Sequence, residues 1–323
     1  MSKTKILLTG SCGFIFSNFV RYILHEHSKK YSIVSIDKIT NPNTLNAIYV
    51  NKGHQLYIGD VADDHFVNLV FELERPDIVI HGAAESFVDK SIKEPQAFIH
   101  SNVLGTQVII DAYLKWNVKR LVYISTDEIY GALQNENDPS WTEESPMSPR
   151  NAYSASKACG ELLVKAAHNT HGLQYNITRS CNNFGPRQPR RNLIPVIIGN
   201  ILDGLPVPIY GDGMHIRDWI YVLDNCSAIL KIIEEGKPNE IYNISAGQEF
   251  TNIEIFHEIC NALGTGHNLL THVEDRKGHD RRYSITNNKI KSLGWEPKYK
   301  PLKDMLKFTC SWYCNNKWSI KKG

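Results

Sequence analysis

Lys5-Ile-Leu-Leu-Thr9-Gly10-Ser-Cys-Gly13-Phe14-Ile15-Phe16 is the stretch that decides the fold. Lys5–Thr9 is a short apolar run that reads as a buried strand, and from Phe14 to Ser28 apolar residues recur at helical spacing. A strand that turns on glycines into a helix predicts a nucleotide-binding βαβ unit. Gly10 and Gly13 permit a tight turn and close backbone approach to a pyrophosphate, while the helix start supplies N–H donors and a positive dipole end. Asp37 ends the second predicted strand about twenty residues on, where a carboxylate accepts hydrogen bonds from ribose hydroxyls and repels a 2′-phosphate. The pattern therefore favours NAD over NADP. The third small residue of such a turn is missing, because Phe16 stands there. A ring where helix and strand normally approach closely calls for local repacking.

Outward from this unit, apolar runs and amphipathic helical patterns alternate. The predicted strands are Ser32–Ile36, Gln55–Ile58, Ile78–His81, Arg120–Ser125 and Gln174–Thr178, and the helices Asp63–Leu73, Pro95–Trp116 and Ser154–His171. β-branched strands joined by helices predict an α/β fold, a doubly wound Rossmann sheet that is parallel and covered on both faces. Asp60-Val61 closes the third strand within reach of an adenine. After residue 185, proline and glycine punctuate the chain. Helices are expected at Leu193–Leu202, Val222–Glu235, Asn252–Leu263 and Leu302–Tyr313, with a strand at Ile241–Ile244. The expected division is residues 1–185 as the dinucleotide-binding domain and 186–323 mainly as a smaller substrate-binding lobe, with segments returning to the first domain.

Composition narrows the function. Hydrophobic residues make up 42% and charged residues 22%, the proportions of a soluble globular protein. A net charge of +2 with scattered Lys and Arg argues against a nucleic-acid surface, and the basic tail Lys317–Lys322 reads as a solvated end. No apolar run is long enough to span a membrane. The seven cysteines are odd in number and lack framework spacing, which points to a reducing, cytoplasmic compartment. Cys310 and Cys314 read as packing rather than zinc ligands, and no metal site is expected. Asn176-Ile-Thr178 and Asn243-Ile-Ser245 match the glycosylation pattern but fall in predicted buried strands.

The chemistry is concentrated at Ser125-Thr126-Asp127-Glu128, closing a strand, and at Tyr153-Ser-Ala-Ser-Lys157. Tyr153 and Lys157, at i and i+4, share a helix face. An ammonium beside a phenol lowers its pKa and readies it to take a proton from an alcohol, which suggests hydride chemistry on a hydroxyl. Two adjacent carboxyls resist double ionisation, so one stays protonated as an acid while the other serves as a base. Oxidation coupled to elimination is the reading these residues favour.

The motifs resemble those of the extended short-chain dehydrogenase/reductase family, in its nucleoside-diphosphate-glucose 4,6-dehydratase branch, from about Lys5 to Trp318. The residues that carry the resemblance are Gly10-Ser-Cys-Gly-Phe-Ile15, Ala83-Ala-Glu-Ser-Phe-Val-Asp-Lys-Ser-Ile92, Asn102-Val-Leu-Gly-Thr106, Ser125-Thr-Asp-Glu-Ile-Tyr-Gly131, Tyr153-Ser-Ala-Ser-Lys157, Asn182-Asn-Phe-Gly-Pro186, Ile209-Tyr-Gly-Asp-Gly213, Ile216-Arg-Asp-Trp219 and Asp275-Arg-Lys-Gly-His-Asp-Arg-Arg-Tyr283. The resemblance implies a lyase that oxidises C4 of dTDP-glucose or UDP-glucose, eliminates water across C5 and C6, and returns the hydride to C6. Tyr153 with Lys157 is implied as the C4 base, Thr126 as a hydrogen-bond donor to the C4 oxygen, Glu128 as the C5 base and Asp127 as the C6 acid. Gly10, Gly13, Phe14, Ile15, Asp37, Asp60, Val61, Ala83, Asn102, Tyr153 and Lys157 are implied as NAD contacts. Ser86, Thr126, Asn182, Arg217, Asn252, Arg276 and His279 are implied as contacts to the sugar nucleotide. A homodimer through a four-helix interface of Pro95–Trp116 and Ser154–His171 is also implied.

Two further departures bear on substrate identity. Phe87 stands where many members carry His, and Asn192 where a Lys commonly precedes Leu-Ile-Pro, with Arg190 or Arg191 at hand to compensate. A sugar-nucleotide 4-epimerase or UDP-glucuronate decarboxylase would share the Tyr153–Lys157 pair but not Asp127. A GDP-mannose 4,6-dehydratase would use NADP, which suits Asp37 poorly. A silent binding scaffold would not need the full catalytic set.

Overall fold

The computed structural model describes residues 3–40, 53–135, 137–276 and 279–317. Lys277 and Gly278, within one of the quoted motifs, and the basic tail beyond Lys317 lie outside the described residues. Seven parallel strands form the main sheet: β1 Thr4–Thr9, β2 Tyr31–Asp37, β3 His54–Ile58, β4 Ile78–His81, β5 Arg120–Thr126, β6 Tyr175–Ser180 and, far along the chain, the strand Glu240–Ile244. That last strand pairs with β6, giving the order 3-2-1-4-5-6 with one strand added at the β6 edge. This is the doubly wound order, and ligands bind at its switch point, where β1 and β4 send their connections to opposite faces.

Alternation along β1 assigns the two faces. Ile6 and Leu8 point into the core that includes Phe16, Phe19 and Ile23 of α1 (Phe14–Glu26), whereas Leu7 points into the core on the other face. That second core packs α2 (Asp64–Glu74), with Asp63 as its N-cap, against the helices that follow β4. The expected helix Pro95–Trp116 is divided. After the short α3 (Val88–Lys93) and α4 (Pro95–Phe98) come a π-helical turn, Ile99–Leu104, and then α5 (Gly105–Lys115). The wider turn seats Asn102 so that its amide accepts from the Glu85 N–H at 2.8 Å and donates to the Glu85 carbonyl at 2.9 Å. α6 (Ala152–His171) begins at Asn151, whose side chain accepts from the Ser154 N–H in a capping box.

The rest of the chain adds β7 (Asn182–Phe184), α7 (Leu193–Leu202), β8 (Val207–Tyr210), β9 (Ile216–Tyr221), α8 (Val222–Glu235), β10 (the Glu240–Ile244 strand), β11 (Glu249–Thr251), α9 (Asn252–Leu263), β12 (Leu270–Val273), α10 (Asn288–Lys291) and α11 (Leu302–Asn315). β11, β9 and β7 form a small sheet, and β12 pairs with β8. These ladders of three or four residues were not expected from the sequence, because each pairs segments distant along the chain. A third core joins α7, α9 and α11, while α8 packs back on α1 in the first. Asn176 and Asn243 are fully buried, which rules out the glycosylation reading. Cys310 packs in the third core.

Phe16 is accommodated by glycine on the neighbouring strand connection. A Cβ built on Gly82 would fall 1.9 Å from the Phe16 ring, so Gly82 leaves the space the ring fills. Gly82→Ala is expected to destabilise the protein by about 1–3 kcal/mol, the usual cost of overpacking. Urea titration should show a smaller loss when the same change is made in a Phe16→Ala background.

Candidate active site

The switch point opens into a cleft of about 390 Å³, lined on one side by the glycine turn and on the other by Thr126, Asp127, Glu128, Tyr153 and Lys157. Gly10 has φ +80° and a Cβ there would lie 2.9 Å from the Ala83 backbone, so only glycine fits. Thr9 ties the turn to β4: its hydroxyl accepts from the N–H groups of Gly82 and Ala83 and bonds His81 Nδ1 at 2.8 Å. Asp37 accepts from the Cys12 N–H at 2.9 Å and the Ile39 N–H at 2.8 Å. The start of α1 has no side-chain cap and no acidic residue in its first turn, which leaves its N–H groups to the cleft.

Gly10, Gly13, Phe14, Ile15, Asp37, Val61 and Ala83 line this cleft, as do Ser86 and Asn182. Two expected cofactor contacts, Asn102 and Asp60, are not among its lining residues. Asn102 spends its side chain on Glu85 and on Ser156 Oγ, to which it donates at 2.8 Å. Asp60 faces Lys38 at 3.7 Å and His100 at 3.3 Å.

The acid–base groups sit at the end of β5 and the start of α6. Asp127, 3% exposed, has its pKa pushed up to about 8 by burial and by the neighbouring Glu128, against the pull of Arg217. It is therefore largely protonated at neutral pH. Its Oδ2 is buried without a hydrogen-bond partner among the described residues. Glu128 is also raised by desolvation, and Asn151 donates to its Oε2 at 3.3 Å. The sequence reading missed Asn151, whose only signal was an N-cap residue type two positions before Tyr153.

Tyr153 bonds the Thr126 hydroxyl and packs edge-on against Phe98 at 6.3 Å. Its phenol is raised, not lowered, in the free protein: desolvation and the Glu128 carboxylate outweigh the Thr126 bond. The Lys157 ammonium lies over the Tyr123 ring, 4.2 Å from its centroid, and burial lowers its pKa to about 7. Neutralising the carboxyl pair relieves part of the upward push on Tyr153.

β9 and the segment after β12 bring Arg217 and Arg276 within electrostatic range of Glu128. Arg217 is buried and held by carbonyls, donating to Ile216 O at 2.7 Å and Asp280 O at 2.8 Å, over the Tyr283 ring. Among the described residues no carboxylate pairs with it directly, so its charge is available to an anion. Asn252 starts α9, and its N–H donates to His215 O at 3.0 Å. His279 Nδ1 bonds Asp275 at 2.6 Å, and its ring stacks on His215 at 3.6 Å, while His215 faces the same carboxylate at 3.2 Å. These three residues have the donor types of a metal site. Arg217, Arg276 and Arg281 bear on its two histidines, which opposes a dication. Arg190 is committed to Asp203 at 2.5 Å and Asn200 at 2.8 Å, whereas Arg191 lines the cleft over the Phe87 ring. Of the two candidates to compensate for Asn192, the cleft therefore receives Arg191.

A family model described as GDP-mannose 4,6 dehydratase matches residues 7–308. The chain is 43% identical over 298 residues to the low-salt glycan biosynthesis protein Agl12 of Haloferax volcanii, covering 91% of this chain and 94% of that one. It is 38% identical over 318 residues to a dTDP-glucose 4,6-dehydratase of Streptomyces antibioticus, with 97% and 93% covered. The structure of DesIV, a dTDP-glucose 4,6-dehydratase from Streptomyces venezuelae solved with NAD bound, superposes with a TM-score of 0.92 at 38% identity, covering 98% of this chain and 99% of that one. The chain belongs to the GDP-mannose 4,6-dehydratase family of extended short-chain dehydrogenase/reductases.

Asp127 also gives a pH signature that needs no substrate. Its folded pKa lies above the unfolded value near 3.9, so its contribution to stability is full below that value and is lost as pH rises through about 8. Asp127→Asn should therefore raise the urea midpoint, and raise it more at pH 9 than at pH 5.

Proposed function

We propose that the protein is an NAD-dependent nucleoside-diphosphate-glucose 4,6-dehydratase, a hydro-lyase that takes dTDP-glucose or UDP-glucose to the 4-keto-6-deoxy sugar nucleotide. The observation that carries this reading is the adjacent pair of buried Asp127 and half-buried Glu128 beside Tyr153 and Lys157 at the switch point. A glycine-only turn, an uncapped helix start and Asp37 fit NAD, with Gly10, Gly13, Phe14, Ile15 and Val61 around it. When bound, NAD would supply the acceptor for the C4 hydride and the donor of that hydride to C6, a proton returning to C5 to complete the balance.

Tyr153 takes the C4 hydroxyl proton, with the Thr126 hydroxyl orienting the same oxygen and Lys157 supplying positive charge. The resulting ketone makes the C5 proton acidic. Glu128, oriented by Asn151, removes that proton, and Asp127, protonated at neutral pH, delivers its own to the departing C6 hydroxyl. A poor leaving group and a weakly acidic C–H are thus handled by two adjacent residues in opposite protonation states. Arg217, Arg276 and Arg191 neutralise the diphosphate. Ser86, Asn182, Asn252 and His279 complete the substrate contacts. An epimerase has no use for an acid at position 127.

We divide the chain at residues 185 and 186, with β10 and α8 returning to the first core, and place it in the cytoplasm, which the seven free cysteines support. No helix among the described residues is long and apolar enough to cross a membrane.

Incubation with dTDP-glucose and with UDP-glucose should yield a 4-keto-6-deoxy product from at least one, detectable by its alkaline absorbance and by mass. Asp127→Asn and Glu128→Gln should each slow dehydration by about 10²–10⁴-fold. Unchanged rates in both would refute the assigned roles.

We also propose a homodimer. Ile92, Ile99, Leu104 and Leu162 are 47–55% exposed on α3, the π-helical turn and α6, an apolar face whose burial would complete a four-helix interface. Sedimentation velocity at micromolar concentration should show a dimer that Leu162→Glu dissociates.

A further inference from the structure

We infer that Tyr123 is a positioning residue for the reaction: the face of its ring holds the Lys157 ammonium at the cleft wall and keeps it charged. The inference rests on the dehydratase reading, and it concerns a residue three positions before Thr126, the nearest expected site contact on the same strand.

Tyr123 lies in the middle of β5 between Val122 and Ile124 and is fully buried. Three neighbours fix its ring. The hydroxyl donates to the Lys157 carbonyl at 3.3 Å, the His81 ring lies 5.8 Å away, and Gly160 of α6 packs against the phenol oxygen. A Cβ at residue 160 would fall 2.0 Å from that oxygen. The chain thus places glycine, which weakens a helix interior, where it admits this phenol.

Lys157, 4% exposed, needs such a support. Among the described residues its ammonium has neither a hydrogen bond nor an ion pair; its contact is the Tyr123 ring at 4.2 Å. Of the charged and titratable groups that face it among the described residues, only Glu161 favours its charged form. Glu161, one turn along α6, is engaged by Arg179 through bonds of 3.1 and 2.7 Å. His81 on β4 bonds Thr9 and Thr106, and burial together with Lys157 keeps it neutral. Tyr153, on the same helix, is the group that Lys157 serves. A desolvated ammonium tends to lose its proton, and an aromatic face opposes that loss through its quadrupole. A leucine of similar bulk would fill the space without doing so.

The test is the pH dependence of kcat in Tyr123 variants. The active form needs both a protonated Asp127 and a charged Lys157; Lys157 titrates first on the alkaline side, so weakening the ring's hold lowers the pH at which activity begins to fail. Tyr123→Phe should keep the parental alkaline limb. Mono-, di- and trifluorinated phenylalanine at the same position preserve shape while draining the ring's negative face. They should move that limb stepwise to lower pH, by about one unit at the end of the series. Tyr123→Leu should move it at least as far if it folds, and the fluorinated series decides the matter if it does not. A flat series, or a uniform loss of kcat with the limb unmoved, overturns the inference and leaves Tyr123 merely structural. Acetylation of Lys157 by acetic anhydride, followed by mass spectrometry across pH, reads the same titration without turnover. Its shift is expected even where the parent makes no 4-keto product, which separates failure of this inference from failure of the dehydratase reading.

Discussion

Arg179 and Glu161, exposed by 1% and 0%, form a two-pronged ion pair between β6 and α6, and the site depends on it. Breaking such a pair from one side costs about 3–5 kcal/mol, because the remaining charge has no water to turn to. Arg179 also donates to the Tyr130 hydroxyl at 2.6 Å and to the Glu143 carbonyl, and Tyr130 donates to Asn243 of β10. One guanidinium thereby locks α6, the turn after β5 and the added strand β10 into one frame. α6 carries Tyr153 and Lys157, and the turn after β5 carries Asp127 and Glu128. The relative placement of both acid–base pairs is inherited from this frame.

That rigidity is what makes a largely buried carboxyl pair useful. Burial raises Asp127 enough to keep its proton at neutral pH, and the same dryness strengthens every interaction the cleft offers a developing charge. The cost is an unstable constellation: raised carboxyls, a lowered lysine and a raised tyrosine all lining one cleft. Arg217 on β9 and Arg276 after β12 offset part of it, so segments distant along the chain share one electrostatic design.

The main sheet was readable because its strands are apolar, β-branched and spaced by amphipathic helices, so Lys5–Thr9 and Arg120–Ser125 announced themselves by pattern alone. The acid–base pairs were readable because each is local, two residues in sequence or one helical turn. Asn151 and Tyr123 were not, since an N-cap and a strand tyrosine look ordinary until their neighbours are known. The ladder of β8 with β12 escaped for a related reason: four residues carry too little periodicity to announce a partner some sixty positions away.

By itself the sequence determined the parallel sheet, the glycine turn, the preference signalled by Asp37 and the residues able to exchange protons, because periodicity, turn chemistry and side-chain type are local properties. Only the tertiary structure decided that Gly82 makes room for Phe16, that Arg191 rather than Arg190 enters the cleft, and that Asn102 braces the wall behind it. It also decided the protonation states, since the pKa of Asp127, Tyr153 or Lys157 depends on how much water and how many charges remain around it once distant segments have packed.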